Sequence, residues 1–460
     1  MQGRVMRAPD AEPGSAAAGV FAAFWRRLLH SWFPAVPFSL AATAKSNYAH
    51  LYWDSFGFGV LSGSTISFVA IYAVRVGASA LQVSLLSSGP AVVNLMFSLA
   101  AGRWLSRQQL GPATFRAGTL ARIGYLLLSA LPWLVPAGFM PLTLLGLLLF
   151  VAVPNTFWAV GFNALFADTV APEHRGFVVG RRSVVLGVSQ VLASLLCGGV
   201  LSQLAFPLGY QVVFALGALG GGLSIYHLGR VHALDAPPVR VGSPQQLTIG
   251  SEVRSGDAFG AGMALRFLTR ARQAPLLKLT LLRGSFGSFI GAYFLFYTIQ
   301  FITVPLIPVY AVQTLRLPDS VVSIGSALFF VGMGLSATLL FRLSVRWGHR
   351  LVLVGSGFLY LCYPLMNALA RGPLLFYAAH LVGGGVWGIL NAALLNRLME
   401  RVPEDDRPAH MALHNIALHL GILCGSSLAP LLAATLGVRE ALFAGAGLRV
   451  VAGIVFWFFG

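Results

Sequence analysis

Apolar positions along the chain gather into long, nearly unbroken runs. A helix needs about 20 apolar residues to cross a hydrocarbon core of about 30 Å. Runs of that length fall near 51–74, 83–101, 115–136, 141–165, 184–205 and 209–229. A polar stretch follows at about 230–278, and six more runs lie near 284–311, 320–341, 350–370, 373–396, 411–435 and 439–460. The pattern predicts an all-α polytopic membrane protein with twelve spans in two sets of six. Ahead of the first run, Phe21, Phe24, Trp25, Leu28, Leu29 and Trp32 recur at helical spacing, with Arg26, Arg27 and His30 on the other side. That spacing predicts an amphipathic helix lying on the membrane surface.

Composition removes the soluble alternatives. Of the 460 residues, 57% are apolar and 10% charged, against about 25% charged in a soluble domain. So few polar groups cannot cover a water-facing surface. The net charge of +17 does not indicate a nucleic-acid partner, because the basic residues are scattered between apolar runs and form no basic domain. Their placement instead sets an expected orientation. With the N-terminus in the cytoplasm, 26 of the 31 Lys and Arg fall on the inside, Arg122, Arg181 and Arg182 counted among the loop residues. Outside lie Arg75, Arg316, Arg371 and Arg439, with Arg449 inside the last span. Both termini are therefore expected in the cytoplasm of a plasma or inner membrane. No small-residue cleavage pattern follows the short apolar stretch at 16–25, so a signal peptide is not expected.

The two halves resemble each other. Ile71-Tyr72-Ala73-Val74 returns as Val309-Tyr310-Ala311-Val312, and Ser84, Ser87, Arg103 and Arg107 return 239 positions on as Ser323, Ser326, Arg342 and Arg346. Ala171-Pro172-Glu173-His174-Arg175 answers Val402-Pro403-Glu404-Asp405-Asp406-Arg407. The matches keep their order, as a six-plus-six duplication would. The expected organisation is a tail with the surface helix over 1–47, a six-helix bundle over 48–230, a linker over 231–278, and a second bundle over 279–460. Within the linker, residues 260–278 read as a basic amphipathic surface helix.

Six plus six spans, both ends inside and a long middle loop resemble the major facilitator superfamily. Gly102-Arg103-Trp104-Leu105-Ser106-Arg107 keeps the Gly and Arg of the family signature between helices 2 and 3, with Ser106 at its acidic position. The second copy keeps Arg346, Gly348 and Arg350, with Val345 in place of its acid. The resemblance implies a transporter with a central cavity lined by helices 1, 4, 7 and 10, and loop residues Arg107, Arg346 and Arg350 that gate the cytoplasmic side.

Candidate chemistry lies within the spans, where an ionisable side chain is a functional hypothesis by default. Asp54 is the carboxylate inside the predicted spans away from a span end. It reads either as a proton carrier or as an acid near the start of helix 1 that favours the helix N-terminus. Tyr293, Tyr297 and Gln300 share one face at i, i+4 and i+7, as do His380, Gly384, Trp387 and Asn391, while Asn155 follows Pro154 with Trp158 nearby. These stripes read as a binding surface for a solute with little charge or as interhelical hydrogen bonding. Helix 11 carries Asn415, His419 and Ser426 on one face, after His410 and His414. No metal is expected there, because no acid-rich partner pattern accompanies the His residues. Cys197, Cys362 and Cys424 sit in apolar runs without ligand spacing. No P-loop, H-E-x-x-H or G-x-S-x-G pattern appears, so neither a pump nor a hydrolase is expected, and no cofactor. The expected function is secondary transport of a small, neutral, weakly charged or amphipathic solute, with membrane lipid as the other partner and a monomer as the expected state. A non-transporting scaffold or lipid- or pigment-handling protein of the same fold is the alternative.

Overall fold

The computed structural model describes residues 42–105, 107–232, 279–402 and 407–460. The N-terminal surface helix, the basic helix at 260–278, Ser106 and residues 403–406 lie outside these. Within them, twelve helices are long and apolar enough to span a membrane. They are α1 (Thr43–Arg75), α2 (Ala80–Ser98), α3 (Leu110–Leu134), α4 (Ala137–Thr169), α5 (Arg175–Gln203) and α6 (Leu208–Leu228), then α7 (Ser285–Thr314), α8 (Asp319–Ser336), α9 (Arg342–Leu369), α10 (Pro373–Arg401), α11 (His410–Leu436) and α12 (Val438–Phe459). Gly and Pro punctuate them. Gly348 kinks the chain at φ 74° near the start of α9, and Gly437 turns α11 into α12 at φ 95°, a backbone region that residues with a Cβ avoid. Pro373 opens α10, where its missing N–H leaves no helical bond unmade.

An even number of spans puts the start of α1 and the end of α12 at one end of the bundle, called here the terminal end; the turns α1–α2 and α7–α8 mark the far end. The outer surface is apolar, with Leu219, Leu374 and Trp133 more than two thirds exposed, as a lipid-facing surface requires.

Inside each half, small residues let backbones approach. A Cβ on Gly57 of α1 would stand 2.5 Å from Gly220 O of α6, and one on Gly421 of α11 would stand 2.8 Å from Tyr297 Cβ of α7. These are small-residue seams of the kind membrane helices use in place of a hydrophobic driving force. Between the halves, α5 packs on α8 and α2 on α11.

Two expectations change here. The helix containing α1 begins by Ala42, so Asp54 lies twelve residues in, about 18 Å along the axis at 1.5 Å per residue. It is not a helix-start residue. Likewise α3 and α5 begin earlier than hydropathy indicates, and Arg122 and Arg182 are intramembrane side chains, 5% and 1% exposed, rather than loop charges. A charge ends an apolar run in a hydropathy reading, but a helix continues through it when the bundle supplies partners.

Candidate functional site

The N-terminal half holds a buried ion pair. Arg182 on α5 donates from a terminal guanidinium nitrogen to Asp54 Oδ2 of α1 at 3.1 Å. Ser224 on α6 donates its hydroxyl to Asp54 Oδ1 at 2.7 Å. Arg182 Nε reaches Leu51 O at 3.3 Å, and its guanidinium carbon lies 4.7 Å from the Phe162 ring and 5.2 Å from that of Phe166. Neither member touches water in this conformation: Asp54 is 0% exposed. Further along the same helix pair, Gln190 Nε2 donates to Ser62 Oγ at 2.9 Å and Ser194 Oγ to Gly63 O at 2.9 Å. That contact falls on a π-helical turn, Ser62–Ile66, a distortion that often accompanies function.

Asn155 and Trp158 of α4 are brought together by Arg122 of α3. One guanidinium nitrogen donates to Asn155 Oδ1 at 3.3 Å, and the guanidinium carbon sits 4.2 Å over the Trp158 ring. Phe58 of α1 stacks on Trp158 at 5.9 Å. Asn155 is half-buried and Trp158 buried.

In the C-terminal half the expected residues form two groups. Tyr293 and Tyr297 of α7 have ring centres 4.7 Å apart, and Tyr293 packs on His414 of α11 at 4.4 Å. Gln300 is buried, with its Oε1 unpartnered. The second group centres on α10. His380 Nδ1 bonds Phe376 O at 2.9 Å, its Nε2 stands 3.4 Å from the Tyr363 hydroxyl, and Trp387 stacks on Tyr360 at 5.4 Å. Trp387 and Asn391 are half-buried.

Arg449 of α12 joins these groups. It is 0% exposed, donates to Thr303 Oγ1 of α7 at 2.8 Å and to Tyr360 O of α9 at 2.7 Å, and lies 4.1 Å over the Tyr360 ring. The carbonyl is available because Pro364, four residues on, has no N–H to give it. Only a turn bond from Tyr363 N at 3.3 Å also reaches it.

The far end is closed by contacts between the halves. Arg75 at the end of α1 holds Asp319 at the start of α8, with Nε 3.0 Å and a terminal nitrogen 2.9 Å from Oδ1. Ser323 of α8 donates to Ser194 O of α5. Beneath them Phe68, Tyr72, Cys197, Tyr210 and Phe214 pack with Val309, Val312, Val322 and Phe376 in one apolar cluster. At the terminal end, Arg107 and Arg346 are exposed, while Arg350 bonds Trp457 O at 2.7 Å within its own half.

Sequence reasoning did not pair Asp54 with Arg182 or Arg75 with Asp319, and it gave Arg122 no role. The available signal was a charge inside an apolar run, as at Asp54, Arg122 and Arg449.

Residues 289–460 match the model of the Major Facilitator Superfamily. Comparison with curated proteins gives no match. Among solved structures, a D-xylose–proton symporter superposes with a TM-score of 0.63 at 14% identity, over 90% of this chain and 97% of its own. The nucleoside transporter NupG gives 0.62 at 12% identity, over 90% and 98%. A bacterial homologue of the human lysosomal transporter Spinster, solved inward-facing and unoccupied, gives 0.61 at 13%, over 92% and 98%.

Proposed function

We propose that the chain is a member of the major facilitator superfamily, whose model matches residues 289–460 and whose solved members share its fold, and that it is a secondary transporter working by alternating access. Its solute is small and organic, neutral or weakly charged. The observation that carries this reading is the seal at the far end. Arg75–Asp319 and Ser323–Ser194 join the two halves at the far end of the α5–α8 contact. Both members of the ion pair keep partial water access, at 26% and 17%, so the link can open without stranding a buried charge.

The distribution of basic residues supports a cytoplasmic terminal end, and on that orientation the conformation reads as inward-facing. Arg107, Arg346 and Arg350 then stand ready to bridge the halves when the cytoplasmic side closes. The half-buried Asn155, Trp387 and Asn391 contact the solute. Trp158, Tyr293, Tyr297, Gln300 and His380 form the layer that shapes their positions. Amide and ring groups of this kind offer donors, acceptors and apolar area with little fixed charge. Asp54 is the proton-coupling candidate of the N-terminal half, and its use requires that Arg182 swing away.

The test is uptake into proteoliposomes from a library of labelled neutral and weakly charged solutes, preceded by a thermal-shift screen, since a ligand that binds the folded state stabilises it. Saturable flux, reduced in Asn391→Ala and Asn155→Ala, is the expected result. A stable protein that moves none of the library and binds lipid or pigment instead would overturn the transport reading.

A further inference from the structure

The duplication carries a relationship deeper than sequence identity. α1 and α5 touch where a Cβ on Gly59 would overlap Ser189 Oγ; α7 and α11 touch where a Cβ on Gly421 would stand 3.3 Å from Thr298 N. Gly59 and Thr298 are 239 positions apart, the offset that relates Arg103 and Arg107 to Arg342 and Arg346. Ser189 and Gly421 are 232 apart, the offset that relates Arg175 to Arg407. Five residues before the first contact point stand Asp54 and Tyr293. Seven before the second stand Arg182 and His414. Both pairs are in contact, the first as an ion pair at 3.1 Å, the second as tilted rings with centres 4.4 Å apart at 50°. The position of the pair is preserved and its charge is not.

We propose that the Tyr293–His414 pair is a proton-binding site, the C-terminal counterpart of Asp54–Arg182, and that His414 takes up and releases a proton as the halves rearrange. The proposal rests on the alternating-access reading for its role but not for the proton binding itself. The Asp54 carboxylate is held by Arg182 and Ser224 together. Protonating it would leave the Arg182 guanidinium, 1% exposed, without its counter-charge, which costs several kcal/mol in a buried site. His414 has no ionic partner to strand when it titrates. It is 8% exposed, and its Nδ1 is buried without a hydrogen-bond partner. Uptake places a proton on that Nδ1 lone pair and converts the Nε2–H imidazole to imidazolium; release returns the proton to water and restores the neutral ring. Imidazole is the side chain whose ordinary titration falls in the physiological range, and the Tyr293 ring face offers an imidazolium a cation–π contact.

The surroundings make the charged state transient. α7 presents Tyr293 and Tyr297. α11 itself contributes His410, whose ring packs on Phe286 at 4.4 Å, and His419, whose charge would act on His414. α2, packed on α11, has no Asp, Glu, Lys, Arg or His from 80 to 102. α12 carries Arg449, engaged by Thr303 and Tyr360, and Arg439 and Glu440 at its far-end start. No carboxylate among the described residues packs on the imidazole, so nothing in this conformation traps the proton.

The experiment follows histidine ring 15N resonances of the full chain in lipid nanodiscs between about pH 5 and 8. His414→Gln assigns the resonance; should that variant not fold, Tyr293→Phe, which alters the ring packed on His414, identifies it by its shift. The same samples carry spin labels at Ser79 and Gln313 across the far end. The expected result is a His414 resonance that titrates in this range and a far-end distance distribution that shifts with it, lost in His414→Gln. A His414 ring that stays neutral down to pH 5 overturns the proposal. So does a titrating ring with unchanged distances, or a pH response that survives His414→Gln. Absence of solute flux with these signals intact would overturn the transport reading alone and leave the proton site standing.

Discussion

Arg75 and Asp319 belong to different halves of the molecule, yet Nε and a terminal nitrogen of Arg75 converge on the single oxygen Oδ1 at 3.0 and 2.9 Å. Asp319 opens α8, where its charge also favours the helix N-terminus. A partly solvated pair of this kind contributes up to about 1 kcal/mol, about a fivefold change in the population that it holds. Cys197 reports on that population, because it is fully buried in the cluster just beneath. In a Cys362→Ser, Cys424→Ser background, Asp319→Asn should raise the maleimide labelling rate of Cys197 by about that factor. Unchanged labelling would mean that the apolar cluster alone holds the far end shut.

The Asp54–Arg182 pair is expected to behave as a structural unit. Removing one partner from a buried pair costs about 3–5 kcal/mol, whereas replacing both by apolar groups is much milder. Asp54→Asn and Arg182→Met should therefore each lower the thermal midpoint sharply in detergent, and Asp54→Leu with Arg182→Met should recover most of the loss. Additive losses in the double variant would contradict the coupling.

Arg449 and Pro364 should be coupled through one carbonyl. Arg449→Met strips Tyr360 O of its 2.7 Å donor and leaves it the 3.3 Å turn bond from Tyr363 N, a loss of about 1 kcal/mol for one hydrogen bond. Pro364→Ala supplies an N–H four residues on, so it should harm the wild-type background more than the Arg449→Met one. A thermal-stability double-mutant cycle reads the difference. Zero coupling would mean that the carbonyl does not need the arginine.

The close seams give a size-dependent prediction. A Cβ on Gly57 would meet Gly220 O at 2.5 Å and Ser224 N at 2.6 Å, while one on Gly222 meets nothing within 4 Å. Gly57→Val should destabilise by about 1–3 kcal/mol, as overpacked cores do, and should loosen the Ser224–Asp54 bond as well. Gly222→Ala should leave the thermal midpoint where it is. Equal effects would contradict the α1–α6 packing.

Most of the architecture was readable in the chain because span length is imposed by the membrane. Among the described residues the twelve runs returned as twelve helices in the expected order. Helix starts were not readable where arginines interrupt the apolar pattern. α5 extends from Arg175 through Arg181 and Arg182 because Asp54 and the aromatic rings of α4 receive a guanidinium there. Those partners lie on other helices, 128 residues away in the case of Asp54, and no periodicity encodes such a distance. The i, i+4 rule did identify which residues share a face: Tyr293 lies against Tyr297, while His380 and Trp387 engage neighbouring rings on α9, Tyr363 and Tyr360. It could not show that α11 and α12 supply the groups behind those faces, His414 and Arg449.

The central claim is that two rigid halves rock against each other, so that one end closes as the other opens. Spin-label distances across both ends of one protein test it most directly. One pair is placed at Ser79 and Gln313 at the far end, the other at Gln108 and Val345 at the terminal end, all exposed positions. In Asp319→Asn the far-end distance should lengthen while the terminal-end distance shortens in the same population. A far end that opens with no reciprocal change at the terminal end, or two distances that both stay fixed, would contradict alternating access and leave a rigid scaffold with a transporter's fold.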